Sequence, residues 1–141
     1  MSEPEDQEPE EEPEEEPEEE PEVDVLGSIL LSIKKLLGIE YDYTHFDQDI
    51  IMYINGTLMT LSQLGVGSED GFAITSSEDT WADFLGEVTN LEAVKTYIYL
   101  KVRLIFDPPT SASIIQAFER QITEFEWRLN VQVENTESEE M

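Results

Sequence analysis

Pro9, Pro13, Pro17 and Pro21 recur at an interval of four with nothing but glutamate between them, and this stretch sets the limits on the fold. Each proline removes an amide donor and clashes with the preceding helical turn, while the unbroken like charge repels itself and leaves nothing apolar to bury. Residues 1–24 hold 15 acidic side chains and no basic one. They are expected to stay unfolded, with extended polyproline-like stretches that reach on the order of 70 Å at about 3.1 Å per residue. Folding is therefore left to residues 25–134, and the short acidic residues 135–141 are expected to fray.

The 141-residue chain has a formal net charge of −27, but residues 25–134 carry all 7 basic side chains against 16 acids. This central part is rich in Ile, Leu, Phe and Tyr and is long enough for one modest core, so a single domain is expected. There is no cysteine and hence no disulfide, which fits a reducing cytoplasm. No basic region followed by an apolar run opens the chain, so a secretory signal is not expected. The longest apolar stretch, Ile29–Leu37, is interrupted by Ser32, Lys34 and Lys35 and is too short to span a bilayer.

Apolar spacing predicts four main helices. Ser28 caps the first, Ile29, Leu30, Ile33, Leu36 and Leu37 give it one apolar side, and Gly38 ends it. Asp47 offers a cap for the second, in which Ile50, Ile54, Leu58, Leu61 and Leu64 recur before Gly65. Glycines, serines and acids then dominate residues 65–86, which read as an extended loop or short β-hairpin near residues 72–74 and a helical turn at Trp81. Asn90 caps a third helix, apolar around most of its circumference and therefore central, that runs to Phe106 and is stopped by Asp107, Pro108 and Pro109. The fourth spans about Ser113 to Asn130. The expected class is all-α: a small antiparallel bundle of about four helices with a short hairpin or extended loop.

No enzymatic constellation emerges. The lone histidine, His45, lies in a polar loop, and no nucleophile is marked; no catalytic, cofactor-binding or metal-ligating residue is assigned. The acids at Glu69, Asp70, Glu78 and Asp79 lack calcium-loop spacing and read as loop solvation. Gly65, Gly67 and Gly71 lead into no phosphate-binding helix, and Asn55-Gly56-Thr57 matches the glycosylation sequon only by chance. A net-negative domain with Lys34-Lys35 as its adjacent basic pair repels free nucleic acid.

Some side chains fall off their helices' core stripes. Met52 and Met59 project from the second helix opposite its Ile/Leu stripe, a pattern that either bundle packing or a subunit interface explains. Trp127 falls on the polar side of the fourth helix near Arg120 and Glu124, where it either folds back toward Trp81 or anchors a partner. Lys101 lies inside the apolar arc of the third helix, which calls for either a snorkelling stem or a carboxylate from another helix or subunit.

The stretch "YIYLKVRLIFDPPTSASIIQAFERQITEFEWRLN", together with "DIIMYINGTLMTLSQLGVG", "GFAI" and Trp81, resembles the head–tail connector family of tailed bacteriophages over nearly all of residues 27–130. The resemblance implies a helical core with a small hairpin, without catalysis or cofactor. It also implies a ring of copies, usually twelvefold, at the head–tail junction of the virion. Such a ring binds the portal on one side and the next neck or tail-completion protein on the other. DNA passes through its channel without specific binding, and no membrane is involved. By the same resemblance residues 127–133, with Trp127, Arg128, Val131 and Val133, are candidates for portal contact, and residues 66–86 for the channel or tail side.

The acidic leader departs from the family pattern. In a twelvefold ring it gathers about 180 negative charges, and repulsion drives the leaders outward, where they solubilise the chain, discourage premature stacking or keep DNA off the channel entrance. Two rival readings compete with the connector. One is an acidic DNA mimic or chaperone-like binder of basic partners that acts through the leader, and the other is a small enzyme working through Asp47 and Asp49.

Overall fold

A computed structural model describes residues 23–68, 70–85 and 90–140, with side chains through Glu134. Residues 1–22, all but the last two residues of the leader, lie outside the described residues, as do the side chains of 135–140. Among the described residues five helices follow in order: α1 (Ile29–Leu37), α2 (Asp47–Gln63), α3 (Trp81–Leu85), α4 (Leu91–Phe106) and α5 (Ala112–Glu140). Helix α4 packs against α1, α2 and α5 and is the hub of an all-α bundle.

Helix α1 begins where Ser28 Oγ accepts the Leu31 amide at 3.2 Å and ends where Gly38 turns left-handed at φ 84°. It is not greasy on one side only, because every residue from Ser28 to Lys34 is buried. The polar ones are answered internally: the Trp81 indole N–H donates to Ser32 Oγ at 2.9 Å, and Ser32 Oγ donates to the Ile29 carbonyl at 3.1 Å.

Helix α2 buries Ile50, Ile51, Ile54, Leu58 and Leu61, but Asp47 does not cap it. Phe46 holds the cap position without a side-chain bond, and Asp47 is the first helical residue. Its carboxylate faces the Lys34 ammonium at 2.8 Å, an ionic contact that outcompetes a neutral amide for it.

No strand forms among the described residues, and the hairpin expected near residues 72–74 is absent. The backbone groups that a hairpin pairs are already taken. Asn55 accepts the Ile74 amide at 2.8 Å and donates to its carbonyl at 3.0 Å, so one side chain of α2 satisfies both. Asp79 Oδ2 accepts the amides of Thr75 and Ser76, which closes the next turn. Asp79 is thus a structural acid rather than loop solvation, and Asn55 is a clamp rather than an idle sequon residue. A single bridge joins Ser28 to Thr80. Thr80 and Asp83 then cap α3 reciprocally, each side chain accepting the other's amide, and deliver Trp81 and Phe84 to the core.

Helix α4 has the expected bounds, and Asp107 at φ −150° ends it before the two prolines. Its apolar coverage does not extend to Ile105, which is 57% exposed. Helix α5 runs past Asn130, with Ile122 and Leu129 buried and Phe118, Phe125 and Val133 packed on the core.

Candidate functional site

The outer side of α2 is the first candidate contact surface. Once Ile50, Ile54, Leu58 and Leu61 turn inward, helical geometry leaves Met52, Gly56, Met59 and Gln63 on the opposite stripe, and all four are exposed. Residues 50–68 contain no charged side chain, in a chain of such high net charge. Depletion of charge with exposed methionine is the composition of an interface core rather than of a solvated face. Beside Met59 a recess of about 460 Å³ is lined by Asn55, Ser62, Phe72 and Ala73.

The outer side of α5 is the second. Trp127 is 67% exposed and does not fold back toward Trp81, which is buried with its indole committed to Ser32. Trp127 borders an open groove with Gln116, Arg120, Thr123 and Glu124. Arg128 is tied to Glu124 at 3.0 Å, whereas Arg120 is exposed and has no ion-pair partner among the described residues. Val131 and Val133 are half-buried, and Val133 packs toward Gly65, where an added Cβ would lie 2.9 Å from its Cγ1.

Lys101 is half-buried with its ammonium 5.8 Å from the Tyr97 ring centre, and no carboxylate pairs with it among the described residues. Its stem follows the helix and its charge rests on an aromatic face. The Tyr97 hydroxyl donates to Glu126 at 2.8 Å, linking α4 to α5. Burial, followed by the bond to Glu126 and its charge, raises the Tyr97 pKa well above the usual phenol value.

Charge patterning gave no sign of the buried ammonium of Lys34. It donates to the carbonyls of Tyr41 at 3.1 Å and Tyr43 at 2.7 Å and pairs with Asp47. This ties the α1–α2 loop down and leaves Tyr41 and Tyr43 half exposed. Asp47, one of the two acids of the enzyme reading, is committed to a structural ion pair. His45 is exposed and stacks edge-on against Phe46 at 4.7 Å. Among the described residues no group of three or more metal-ligating side chains gathers, and no helix is long and apolar enough to cross a membrane.

No curated protein and no solved structure matches the chain. A family model described as phage connector protein matches residues 29–136, most of the chain and all of the described bundle but the last four residues of α5. The match lies on the helices rather than on the acidic leader, and so does not favour the binder of basic partners. The chain belongs to the phage connector protein family.

Proposed function

We propose that copies of this chain assemble into a ring beneath the portal, extend the DNA channel and join the capsid to the next neck or tail component. The family match carries the connector role, and the uncharged outer side of α2 with the exposed Trp127 supports assembly through protein contacts. The work is structural: positions are held by burial and complementarity, and no reaction is involved. Portal contact falls to residues 127–133 of α5, where Trp127 and Arg128 are exposed, the channel or tail side to residues 66–86, and the site of action to the head–tail junction after synthesis in the host cytoplasm. The leaders keep unassembled copies apart through their mutual repulsion.

Co-sedimentation with the cognate portal tests this reading. A chain lacking residues 1–22 is expected to dock as the full chain does. Loss of docking with the leader would instead make the leader the binding element.

A further inference from the structure

Gly56 occupies the interior of α2 at an exposed position, and a Cβ added there would meet nothing within 4 Å. Glycine is unfavourable in a helix interior, and nothing among the described residues requires one here. The neighbours of Gly56 on the stripe, Met52 and Met59, are 59% and 62% exposed, so the helix presents a notch between two thioethers. Two turns nearer the N-terminus than Gly56, Asp49 is exposed and has no partner among the described residues.

Helix α5 presents the matching set. Arg120 is exposed and unpaired among the described residues, and Trp127 follows it by seven positions, the same interval that separates Asp49 from Gly56. Seven residues advance a helix by about 10.5 Å and return to within roughly 20° of the starting direction. Two helices laid parallel therefore bring Arg120 to Asp49 and Trp127 to Gly56 together. The indole then lies in the notch, between sulfurs that favour an aromatic ring and beside the recess bordered by Asn55, Met59 and Phe72.

We propose that α5 of one copy docks on α2 of the next in this register, with Trp127 over Gly56 and Arg120 on Asp49. The inference rests on the ring reading above and deepens it by naming the two surfaces. A copy of this chain is the occupant because Arg120 and Asp49 are charge-complementary, because α2 from Ile50 onward offers an acidic neighbour no acid to repel, and because Glu124 beside Trp127 is already paired with Arg128. The two patches differ, so each copy keeps one of each free and the contact propagates around a ring instead of ending at a dimer.

Three full-length variants test it, by sedimentation velocity across a salt series and on the cognate portal. Gly56→Leu is expected to melt no lower than the parent, since the site is open and the helix gains a better former. It is also expected to lose roughly tenfold or more in self-association. Asp49→Arg and Arg120→Asp, each folded normally, are expected to lose association alone and recover it in an equal mixture, where opposite charges again face each other. Failure of the mixture to recover, or unimpaired association of Gly56→Leu, overturns the register. If the variants fail these tests while the parent still forms rings, only the register falls. If the parent never self-associates, alone or on the portal, the ring reading falls with it.

Discussion

Lys34 and Asp47 meet at 2.8 Å with the ammonium fully buried and the carboxylate one-fifth exposed, and the pair joins α1 to the start of α2. The ammonium also holds the carbonyls of Tyr41 and Tyr43, so one side chain satisfies three acceptors around the loop between the helices. Lys34→Ala is expected to cost about 3 kcal/mol or more, because it strands a carboxylate and two carbonyls. Asp47→Asn is expected to cost less, since the carbonyls still hold the ammonium. Urea denaturation of both variants checks the order, and an equal loss would contradict it.

The clamp of Asn55 on Ile74 is expected to govern residues 70–80 more than the bundle. Asn55→Ala removes both bonds and is expected to destabilise the chain by about 1–3 kcal/mol. Hydrogen exchange at the Ile74 amide is expected to accelerate, while amides of α4 change only with global stability.

Tyr97 gives the fold an alkaline limit. A phenol whose folded pKa is raised stabilises the protein fully below its unfolded value of about 10, and this contribution is lost as pH rises above that value, because the unfolded chain releases the proton first. Tyr97→Phe is expected to flatten the fall in stability above about pH 10, at the cost of the bond to Glu126. Melting curves of parent and variant from neutral to alkaline pH give the comparison, and identical slopes would contradict it.

Self-association is expected to rise with salt, because counterions screen the leaders' repulsion over a length of about 8 Å at physiological ionic strength and less above it. Deleting residues 1–22 is expected to permit association at low salt and to weaken the salt dependence. A full-length chain that associates best at low salt would refute this.

Ser28 and Gly38 bracket α1 by local chemistry and the Asp-Pro-Pro stop ends α4, whereas Asn90 holds the cap position of α4 without the side-chain bond expected of it. Elsewhere the deciding partner lies far along the chain or has no side-chain signature. Lys34 looks like a surface cation because two of its three acceptors are backbone carbonyls, which no residue pattern reveals. Asp47 has the sequence of a cap, and only the buried ammonium redirects it. The missing hairpin turns on Asn55, 19 positions from Ile74, beyond the reach of turn statistics. The continuation of α5 had a faint signal, since Val133 extends the four-residue spacing of Phe125 and Leu129. Met52, Met59 and Trp127 stood out in the sequence because helical periodicity alone places them off the core stripes. Gly56 between them did not, because its significance depends on the empty space around it.

Trp127→Ala is expected to leave the melting temperature within a few degrees of the parent, since an exposed side chain adds little to the fold. The same variant is expected to lose ring formation or portal attachment. A large melting loss with assembly intact would contradict the contact role.

Electron microscopy of the full chain mixed with its cognate portal bears most directly on the connector assignment. The account predicts a closed ring of copies seated coaxially on the portal, with the outer sides of α2 and α5 buried between neighbours. Isolated single copies on the portal, or no binding at all, would contradict it.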